Sequence, residues 1–317
     1  MILYIIKRLL QMIPIVLGVS LIVFLMMSLS PGDPARMILG LTAEEAAVEQ
    51  LREELGLNEP LVVQYFNYIS RAVVGDFGTS FTTRQSVSEM IAIRLPATLI
   101  LSFGSLFVIM AVAVPLGIAL AVKQNSLFDN VMRVVSLIMA AMPGFWLGLL
   151  LILLFAVHLN WLPSHGLDSA DALILPILCL SVSGWAINSR MTRASMLDVI
   201  RQDYIRTARA KGLSEKIVIR RHALRNALMP NITLVGMMLG NSLGGSVIIE
   251  TLFGINGMGN MMVAALRQKD IPTVLSGVII TAIVIAMANL ITDLAYAFVD
   301  PRIKSRYIKQ KKAEATT

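Results

Sequence analysis

Charged side chains are scarce in this sequence of 317 residues. They make up 15% of the chain, against about a quarter in a soluble domain, while 56% of residues are hydrophobic and the mean hydropathy is +0.74. This deficit excludes an ordinary soluble domain and is typical of a chain that faces a lipid bilayer. Cysteine is nearly absent as well. Cys179 alone excludes an internal disulfide and a cysteine-rich metal site, and its apolar neighbours indicate a small buried side chain.

The motifs of enzymes are also missing. The sequence has no HExxH, no GxSxG and no metal-ligand cluster, so it predicts no catalytic, metal-binding or cofactor-binding residue in this chain. It has no GxxxxGKS or GxxxxGKT loop either, so any nucleotide that drives this protein must be bound by another chain. The run Gly254–Gly259 follows an apolar stretch and lacks a βαβ pattern, which favours a glycine-rich re-entrant turn over a dinucleotide site.

Long apolar stretches dominate what is present. Each is near the roughly 20 residues that cross a bilayer, and only helices satisfy their backbone hydrogen bonds there. We therefore predict an all-α polytopic membrane protein with six transmembrane helices, at about 9–29, 97–122, 132–157, 172–190, 232–252 and 274–297. Pro96 marks the start of the second, and Pro143-Gly144 lies inside the third.

Two polar regions separate these stretches. Residues 30–94 predict a small extramembrane unit, with a helix from Ala43 to Leu55 that Gly56 ends and a turn around Gly75–Ser80. Basic residues are distributed unevenly: with a cytoplasmic N-terminus, 20 of the 27 fall in cytoplasmic segments. Both termini are therefore predicted to be cytoplasmic. The net charge of +7 is then a topology signal, and we expect no nucleic-acid partner.

Ionisable groups are missing from the predicted middle of the membrane. Glu250, Asp293 and Arg190 all lie near span ends. A charged group at mid-membrane normally marks an ion or proton site, so this absence disfavours an ion-coupled secondary transporter, which stays open because backbone carbonyls also bind Na⁺. A membrane enzyme is the third class considered, and it lacks a nucleophile, base or metal constellation.

Small residues recur in the fifth predicted span. Gly236, Gly240 and Gly244 are spaced one turn apart, and Asn241 lies beside them. Such a stripe lets another helix approach closely. Ordinary packing within the chain, a subunit interface and a polar, uncharged pathway all remain open for these residues.

The segment 191–230 between the fourth and fifth spans is strongly basic, with three acidic residues, Asp198, Asp203 and Glu215. It predicts a helix, a break at Gly212, and a second helix after Ser214. Three interpretations compete: an interfacial loop, an anionic-lipid site, and a docking element for a cytoplasmic partner. The short side chains Thr207, Ala208 and Ala210 with Gly212 favour docking, because a partner's groove can grip so low a profile.

Several separated stretches resemble one family. They are Asp203–Leu213, His222–Pro230, Pro31–Pro34, Glu54–Leu57, Gly75–Gly78, Leu95–Thr98 and Asp300–Arg302. Together they resemble the first, B-type permease of ATP-binding-cassette (ABC) importers in the dipeptide/oligopeptide/nickel branch, over nearly the whole chain. The segment after Asp203 resembles the EAA loop of these permeases. Arg206, Thr207 and Arg225 replace the Glu, Ala and Pro of the general consensus, so no carboxylate role is carried over to Arg206.

The resemblance implies a type I ABC importer transmembrane fold. Its core would be 95–298 and would include the coupling loop 191–230, preceded by residues 1–94 and followed by a cytoplasmic tail, 299–317. A coupling helix would dock on an ATPase through Asp203, Tyr204, Arg206, Thr207, Ala208, Ala210, Lys211 and Gly212. Such a permease is not itself an enzyme, because ATP and Mg²⁺ are held by the ATPase chains.

The resemblance also implies partners, cargo and location. The partners are a second, homologous permease, two ATP-binding subunits or domains, and an extracytoplasmic solute-binding protein that 30–94 and 253–272 would contact. The cargo would be a di- or oligopeptide or a glutathione-like peptide, with nickel or another metal chelate as the alternative. The location would be the bacterial inner membrane.

Overall fold

A computed structural model describes residues 2–40 and 42–299. Within them every regular element is helical, and the isolated bridge between Thr79 and Ser86 is the sole strand-like pairing. The helices are α1 Ile2–Leu29, α2 Pro34–Leu39, α3 Glu45–Glu54, α4 Leu61–Ala72, α5 Val87–Val122, α6 Leu127–Ala141, α7 Gly144–Leu151, α8 Ile174–Ile200, α9 Asp203–Ala210, α10 Glu215–Ile217, α11 Leu224–Ala227, α12 Met229–Leu252, α13 Met258–Arg267 and α14 Ile271–Val299. The all-α prediction is confirmed.

Five of these helices are long and apolar enough to cross a membrane: α1, α5, α8, α12 and α14. A sixth span exists if α6 and the helix that follows it count as one. The predicted number of spans is therefore confirmed when this pair is counted together. The predicted cytoplasmic tail, 299–317, lies outside the described residues apart from Val299.

The third span differs from the single helix expected. Helix α6 ends at Ala141, and the next helix, Gly144–His158, leaves at 102° to it. Met142 and Pro143 between them have extended backbones, with ψ angles of 124° and 131°. Proline lacks an amide hydrogen and drives the preceding residue out of the helical region, so the chain turns here. The last residues of this pair, Ile152–His158, form a π-helix.

Two other boundaries also correct the prediction. Helix α5 begins at Val87, so Pro96 lies inside it and does not start it. Helix α8 was expected to end near residue 190 but continues to Ile200. Packing explains both extensions, because Val87 and Met196 are each fully buried in an apolar cluster. Burial of an added turn outweighs what local composition indicates about a helix end.

Turn residues behave as predicted. Helix α1 stops at Leu29, and α2 begins after Asp33, whose side chain accepts a hydrogen bond from the Ala35 amide at 3.0 Å. Gly56 follows the end of α3 with a φ of +67°, the left-handed conformation that glycine adopts without strain. Asp76 accepts a hydrogen bond from the Gly78 amide at 2.9 Å, which closes the turn expected there.

Contacts divide the chain into two compact units. The first comprises the chain up to Ile100, His165–Asp168 and Ser246–Ala286. One apolar cluster in this unit contains Phe24, Met27, Ala265, Ile271, Val274 and Leu275. The buried Asp270 accepts hydrogen bonds from Thr82 at 3.0 Å and Thr273 at 2.9 Å, and also from Ser80.

Glu250 is a second buried carboxylate in this unit. Its oxygens accept hydrogen bonds from the Thr98 hydroxyl at 2.6 Å and the backbone N–H of Asn260 at 2.9 Å. Gly257 approaches so closely that an added Cβ would lie 2.3 Å from the Glu250 carboxyl carbon. The carboxylate therefore joins the last turn of α12 to the start of α13, the helix that follows the predicted glycine-rich turn.

The second unit comprises Leu101–Ser164, Ser169–Gly245 and the chain from Met287. Within it α5 and α8 approach closely: a Cβ at Gly117 would lie 2.4 Å from Cβ of Thr192. An apolar cluster near the ends of these helices contains Ala121, Met196, Ile205, Ala208, Val218, Ile219, Ala223 and Ala227. This cluster positions the segment that the sequence singled out.

Candidate functional site

Helix α9 is a short amphipathic helix in the segment between α8 and α12. Gln202 precedes it with an extended backbone, and Lys211 follows its eight residues, Asp203–Ala210. Ile205 and Ala208, three residues apart, are buried in the cluster with Ala121 of α5 and Met196 of α8. The side chains of one face therefore hold α9 against the ends of two spanning helices.

The other face of α9 is uncovered. Most of the residues expected to dock are exposed there: Asp203, Tyr204, Arg206, Thr207, Ala210, Lys211 and Gly212. Ala208 is the exception. It was predicted to belong to the docking surface, but it is only 6% exposed and packs inward. Its small side chain allows α9 to pack closely on the cluster. The sequence pattern of α9 does not by itself indicate which face is buried, so the inward position of Ala208 follows only from the folded structure.

Gly212 ends this helix in the left-handed conformation, with a φ of +74°. A Cβ built there would meet no atom within 4 Å, so the chain itself leaves open space around this corner. The second helix begins after Ser214, as predicted, although the Ser214 side chain makes no capping hydrogen bond. It continues as a π-helix over Val218–Ala223 and then as α11 towards α12.

Two polar contacts hold α9 to the residues after it. The Arg209 guanidinium donates to both carboxylate oxygens of Glu215, at 3.0 and 2.7 Å, and so spans the Gly212 corner. This hydrogen bonding lowers the pKa of Glu215 below its usual range and raises the pKa of Arg209. The Asn226 amide donates to the Tyr204 hydroxyl at 2.8 Å. The corner is therefore braced on both sides.

A buried ion pair in the same unit escaped the sequence analysis. Asp129, in the first turn of α6, is fully buried and accepts from Nε and an Nη of Arg193 on α8, both at 2.7 Å. Arg193 was counted as a loop residue, whereas the extension of α8 places it in a helix. No local pattern signals this pair, because its partners are 64 residues apart.

The small residues of α12 separate into two groups. Gly236 packs within the chain: a Cβ there would lie 2.7 Å from Oδ1 of Asn289 on α14. Gly240 is half-buried, whereas Asn241 and Gly244 are exposed, and a Cβ at Gly244 would meet nothing within 4 Å. Of the interpretations left open, packing within the chain therefore accounts for Gly236.

The chemistry available in this segment is packing and charge. Among the described residues no group of three or more His, Cys, Asp or Glu side chains is arranged to hold a metal ion. Ile205 and Ala208 connect α9 to α5 and α8 by direct packing in one apolar cluster.

Comparison with known proteins gives consistent matches. The model of the family "Binding-protein-dependent transport system inner membrane component" matches residues 113–305, and the model of its N-terminal region matches residues 1–102. The oligopeptide transport system permease protein AppB of Bacillus subtilis is 41% identical over 312 residues, covering 95% of this chain and 99% of the relative. The glutathione transport system permease protein GsiC of Escherichia coli K12 is 41% identical over 301 residues, covering 95% and 98%.

A solved structure matches the fold. A chain of the MetNI methionine ABC transporter in its inward-facing conformation superposes with a TM-score of 0.57 at 19% identity, covering 67% of this chain and 96% of that one. The type I importer fold expected from sequence is confirmed in this comparison. With family models matching nearly the whole length and relatives at 41% identity, the chain belongs to the family of binding-protein-dependent transport system inner membrane components.

Proposed function

We propose that this chain is the permease subunit of an ABC importer that forms the translocation path for peptides. The observation that supports the mechanism is that α9 has one buried face and one exposed face. Its buried face contacts the ends of α5 and α8, while its exposed face presents short and polar side chains beside an open glycine corner. A surface of this kind suits a cleft on a partner, and its rigid attachment suits the transfer of movement.

In this mechanism α9 is the coupling helix. An ATPase subunit grips Asp203, Tyr204, Arg206, Thr207, Ala210, Lys211 and Gly212, and its closure on ATP displaces α9. Ile205 and Ala208 carry that displacement to the spanning helices, which have two discrete arrangements, one open to each side. Phosphoryl transfer, with ATP and Mg²⁺, belongs to the partner, so this chain is not itself an enzyme.

The cargo is proposed to be a peptide. Relatives covering nearly the entire chain carry the names of oligopeptide and glutathione permeases. The uncharged Asn241 and the exposed Gly244 on α12 suit a route that binds its cargo weakly. Nickel or another metal chelate is the less favoured cargo, because neither relative is named for one.

The assembly follows from the same family. We propose a second, homologous permease, two ATP-binding subunits or domains and an extracytoplasmic solute-binding protein, in the bacterial inner membrane with both termini cytoplasmic. The stripe of α12 that includes Met237, Asn241, Gly244 and Ile248 lies along one face, as the spacing of four, three and four residues dictates. This stripe is where we place the second permease or the path between the two.

Two substitutions at one position test the coupling role. Gly212→Ala and Gly212→Trp impose similar strain on a backbone with a φ of +74°, and at this exposed position no atom of the chain lies within 4 Å of an added Cβ. A partner cleft leaves no room for the indole. We therefore expect Gly212→Trp to lower ATP-driven peptide uptake at least ~10-fold further than Gly212→Ala, with equal amounts of both variants in the membrane.

Crosslinking and energetics supply the complementary test. A cysteine introduced by Ala210→Cys should crosslink to the ATPase subunit, and equal uptake by the two Gly212 variants together with no crosslink would rule out docking through α9. Labelling of that cysteine by an impermeant reagent from outside the cell would overturn the orientation. An ion-coupled secondary transporter is distinguished by uptake that ionophores abolish, whereas ATP-driven uptake should persist in their presence.

A further inference from the structure

Helix α4 of the first unit exposes an apolar face. Val62 is 81% exposed and Phe66 70%, and Val73, just past the end of the helix, is 81% exposed. Spacings of four and seven residues place all three on one side of the helix. Three large apolar side chains uncovered together mark a contact surface, in contrast to single exposed residues, which are common.

A second side of α4 is attached to a spanning helix. The Tyr65 hydroxyl donates to the Leu17 carbonyl oxygen of α1 at 2.9 Å and lies 2.9 Å from the Ser20 hydroxyl oxygen. Its ring also lies 5.4 Å, centroid to centroid, from that of Phe24. All three contacted residues belong to the apolar stretch Ile5–Leu29 that qualifies as a membrane span.

The position of this contact along α1 determines how deep α4 lies in the membrane. Leu17 is the middle residue of that stretch of 25 residues, so it lies about 18 Å along the helix from either end at 1.5 Å per residue. A helix that lay entirely in the aqueous region beyond α1 could not place the Tyr65 hydroxyl on this carbonyl. Helix α4 therefore lies beside the apolar length of α1.

A second spanning helix, α14, shares an apolar cluster with α4. Ile69 and Ala72 of α4 pack against an apolar cluster that contains Ile279, with Ile280 also packed on it. Ile279 is eight residues into α14, or about 12 Å along it from Ile271. Val16, next to Leu17 on α1, packs on the same cluster. Side chains from within two spanning helices therefore belong to the cluster on which α4 packs, in agreement with the depth that the Leu17 contact gives.

The third side of α4 is polar and lies apart from the exposed apolar face. Gln64, Asn67 and Arg71 line a cavity of about 450 Å³, whose wall also contains the acidic residues Glu53, Glu59 and Asp76 and apolar residues such as Phe24 and Leu275. Arg71 is paired with Asp76 at 2.8 Å, and Asn67 donates to Glu59 at 3.1 Å. Charged and amide groups of this kind stay hydrated, so this side marks the direction of water.

We infer that α4 is a partly inserted helix whose face Val62–Phe66–Val73 contacts the acyl chains of membrane lipid. Its three sides then have three environments: Tyr65, Ile69 and Ala72 touch protein, the polar side faces an aqueous cavity, and the apolar side faces hydrocarbon. Tyr68, whose hydroxyl donates to the Pro272 carbonyl oxygen near the start of α14, lies where amphipathic rings concentrate in membrane proteins. This inference rests on the spanning helices alone and is independent of the cargo and of coupling through α9.

Collisional quenching in nanodiscs tests the lipid contact. A genetically encoded, environment-sensitive fluorescent amino acid is placed at position 62 or 66 of the full chain within the assembled transporter, and at position 67 as the matched control on the polar side. Nitroxide groups on the lipid acyl chains supply one quencher and iodide in the buffer supplies the other. We expect nitroxide quenching to be at least three-fold stronger at 62 and 66 than at 67, and iodide quenching to show the reverse order.

Two other outcomes would overturn the inference. Iodide quenching at 66 as strong as at 67 would mean that the face lies in water, and protection of 66 from both quenchers would mean that a protein covers it. Hydroxyl-radical footprinting of the unsubstituted transporter in nanodiscs covers the case in which the labelled variants do not assemble. Oxidation of Phe66 there contradicts lipid contact. Protection together with crosslinking of Phe66 to lipids that carry a photoactivatable group in the acyl chain supports lipid contact, and protection without that crosslink contradicts it.

Discussion

Helices α4 and α9 are built alike yet leave opposite kinds of surface uncovered. Each is a short amphipathic helix outside the main spans. Each is held by side chains that pack on an apolar cluster, buried in α9 and half-buried in α4, and by a tyrosine hydroxyl that makes a hydrogen bond. The free face of α9 carries Asp203, Arg206 and Lys211, whereas that of α4 carries Val62 and Phe66.

The polarity and size of the side chains on an exposed face indicate what kind of partner covers it. Charged and short side chains cost nothing in water and leave α9 ready for a soluble protein that binds and releases. Large apolar side chains would be unfavourable in water, by about 25 cal/mol for each Å² exposed, so those of α4 call for a permanent apolar neighbour. Because the contact with Leu17 lies within the membrane-spanning length of α1, we infer that this neighbour is lipid.

The strongest test replaces the buried anchor of α9. Ile205→Asp places an unpaired carboxylate in an apolar cluster, and we expect local destabilisation of roughly 3 kcal/mol and a loss of peptide uptake of more than ten-fold. The matched control is Ile217→Asp, at a position in the same segment that is 44% exposed, where uptake should change less than two-fold. Equal losses in both variants would show that α9 is not held by its buried face.

A charge on the free face of α4 is expected to have the next largest effect. Phe66→Glu puts a carboxylate against hydrocarbon and should destabilise the transporter by roughly 1 to 3 kcal/mol, read as a lower Tm in nanodiscs. Asn67→Lys places a charge one residue further on, towards the cavity and beside the Glu59 carboxylate, and should leave the Tm nearly unchanged. If the two variants melt together, α4 has no lipid-facing side.

Removing one hydroxyl from each helix compares their anchors directly. Tyr65→Phe loses the hydrogen bond to the Leu17 carbonyl within the span, and we expect a cost of about 1 kcal/mol. Tyr204→Phe loses a bond to Asn226 on a surface where water can replace it, so its cost should be a few tenths of that. Thermal unfolding of the two variants measures the difference, and a larger loss at Tyr204 would reverse the comparison.

The smallest effect concerns pH at the Gly212 corner. The hydrogen bond to Arg209 lowers the pKa of Glu215 in the folded chain. The pair therefore stabilises the fold at pH values above the unfolded pKa of about 4.3, and this stabilisation is lost as the pH falls through the lower folded pKa. Both side chains are largely exposed, so water and salt screen the pair and the effect is modest. Amide exchange over 203–215, corrected for its intrinsic rate, should rise at low pH in the native chain. With Glu215→Gln, the corrected exchange rate should be the same at low pH as at neutral pH. An equal rise at low pH in this variant would show that the Arg209–Glu215 pair is not the cause.

Sequence alone determined the class of the protein and most of its local structure. Span number and the all-helical fold follow from run length and apolarity, because a bilayer tolerates few alternatives. Turn positions at Gly56 and Gly212 follow from the left-handed backbone that glycine adopts freely. The family also follows from the linear sequence, since its motifs are contiguous stretches.

Tertiary structure decided where helices end and which side of each is covered. The start of α5 at Val87 and the extension of α8 to Ile200 depend on burial against distant residues. Ala208 turned inward for the same reason, although its neighbours in sequence are exposed. The pair Asp129–Arg193 and the contact of Tyr65 with Leu17 join residues 64 and 48 positions apart. Local composition does not predict such long-range contacts, because packing depends on surfaces that only the folded chain brings together.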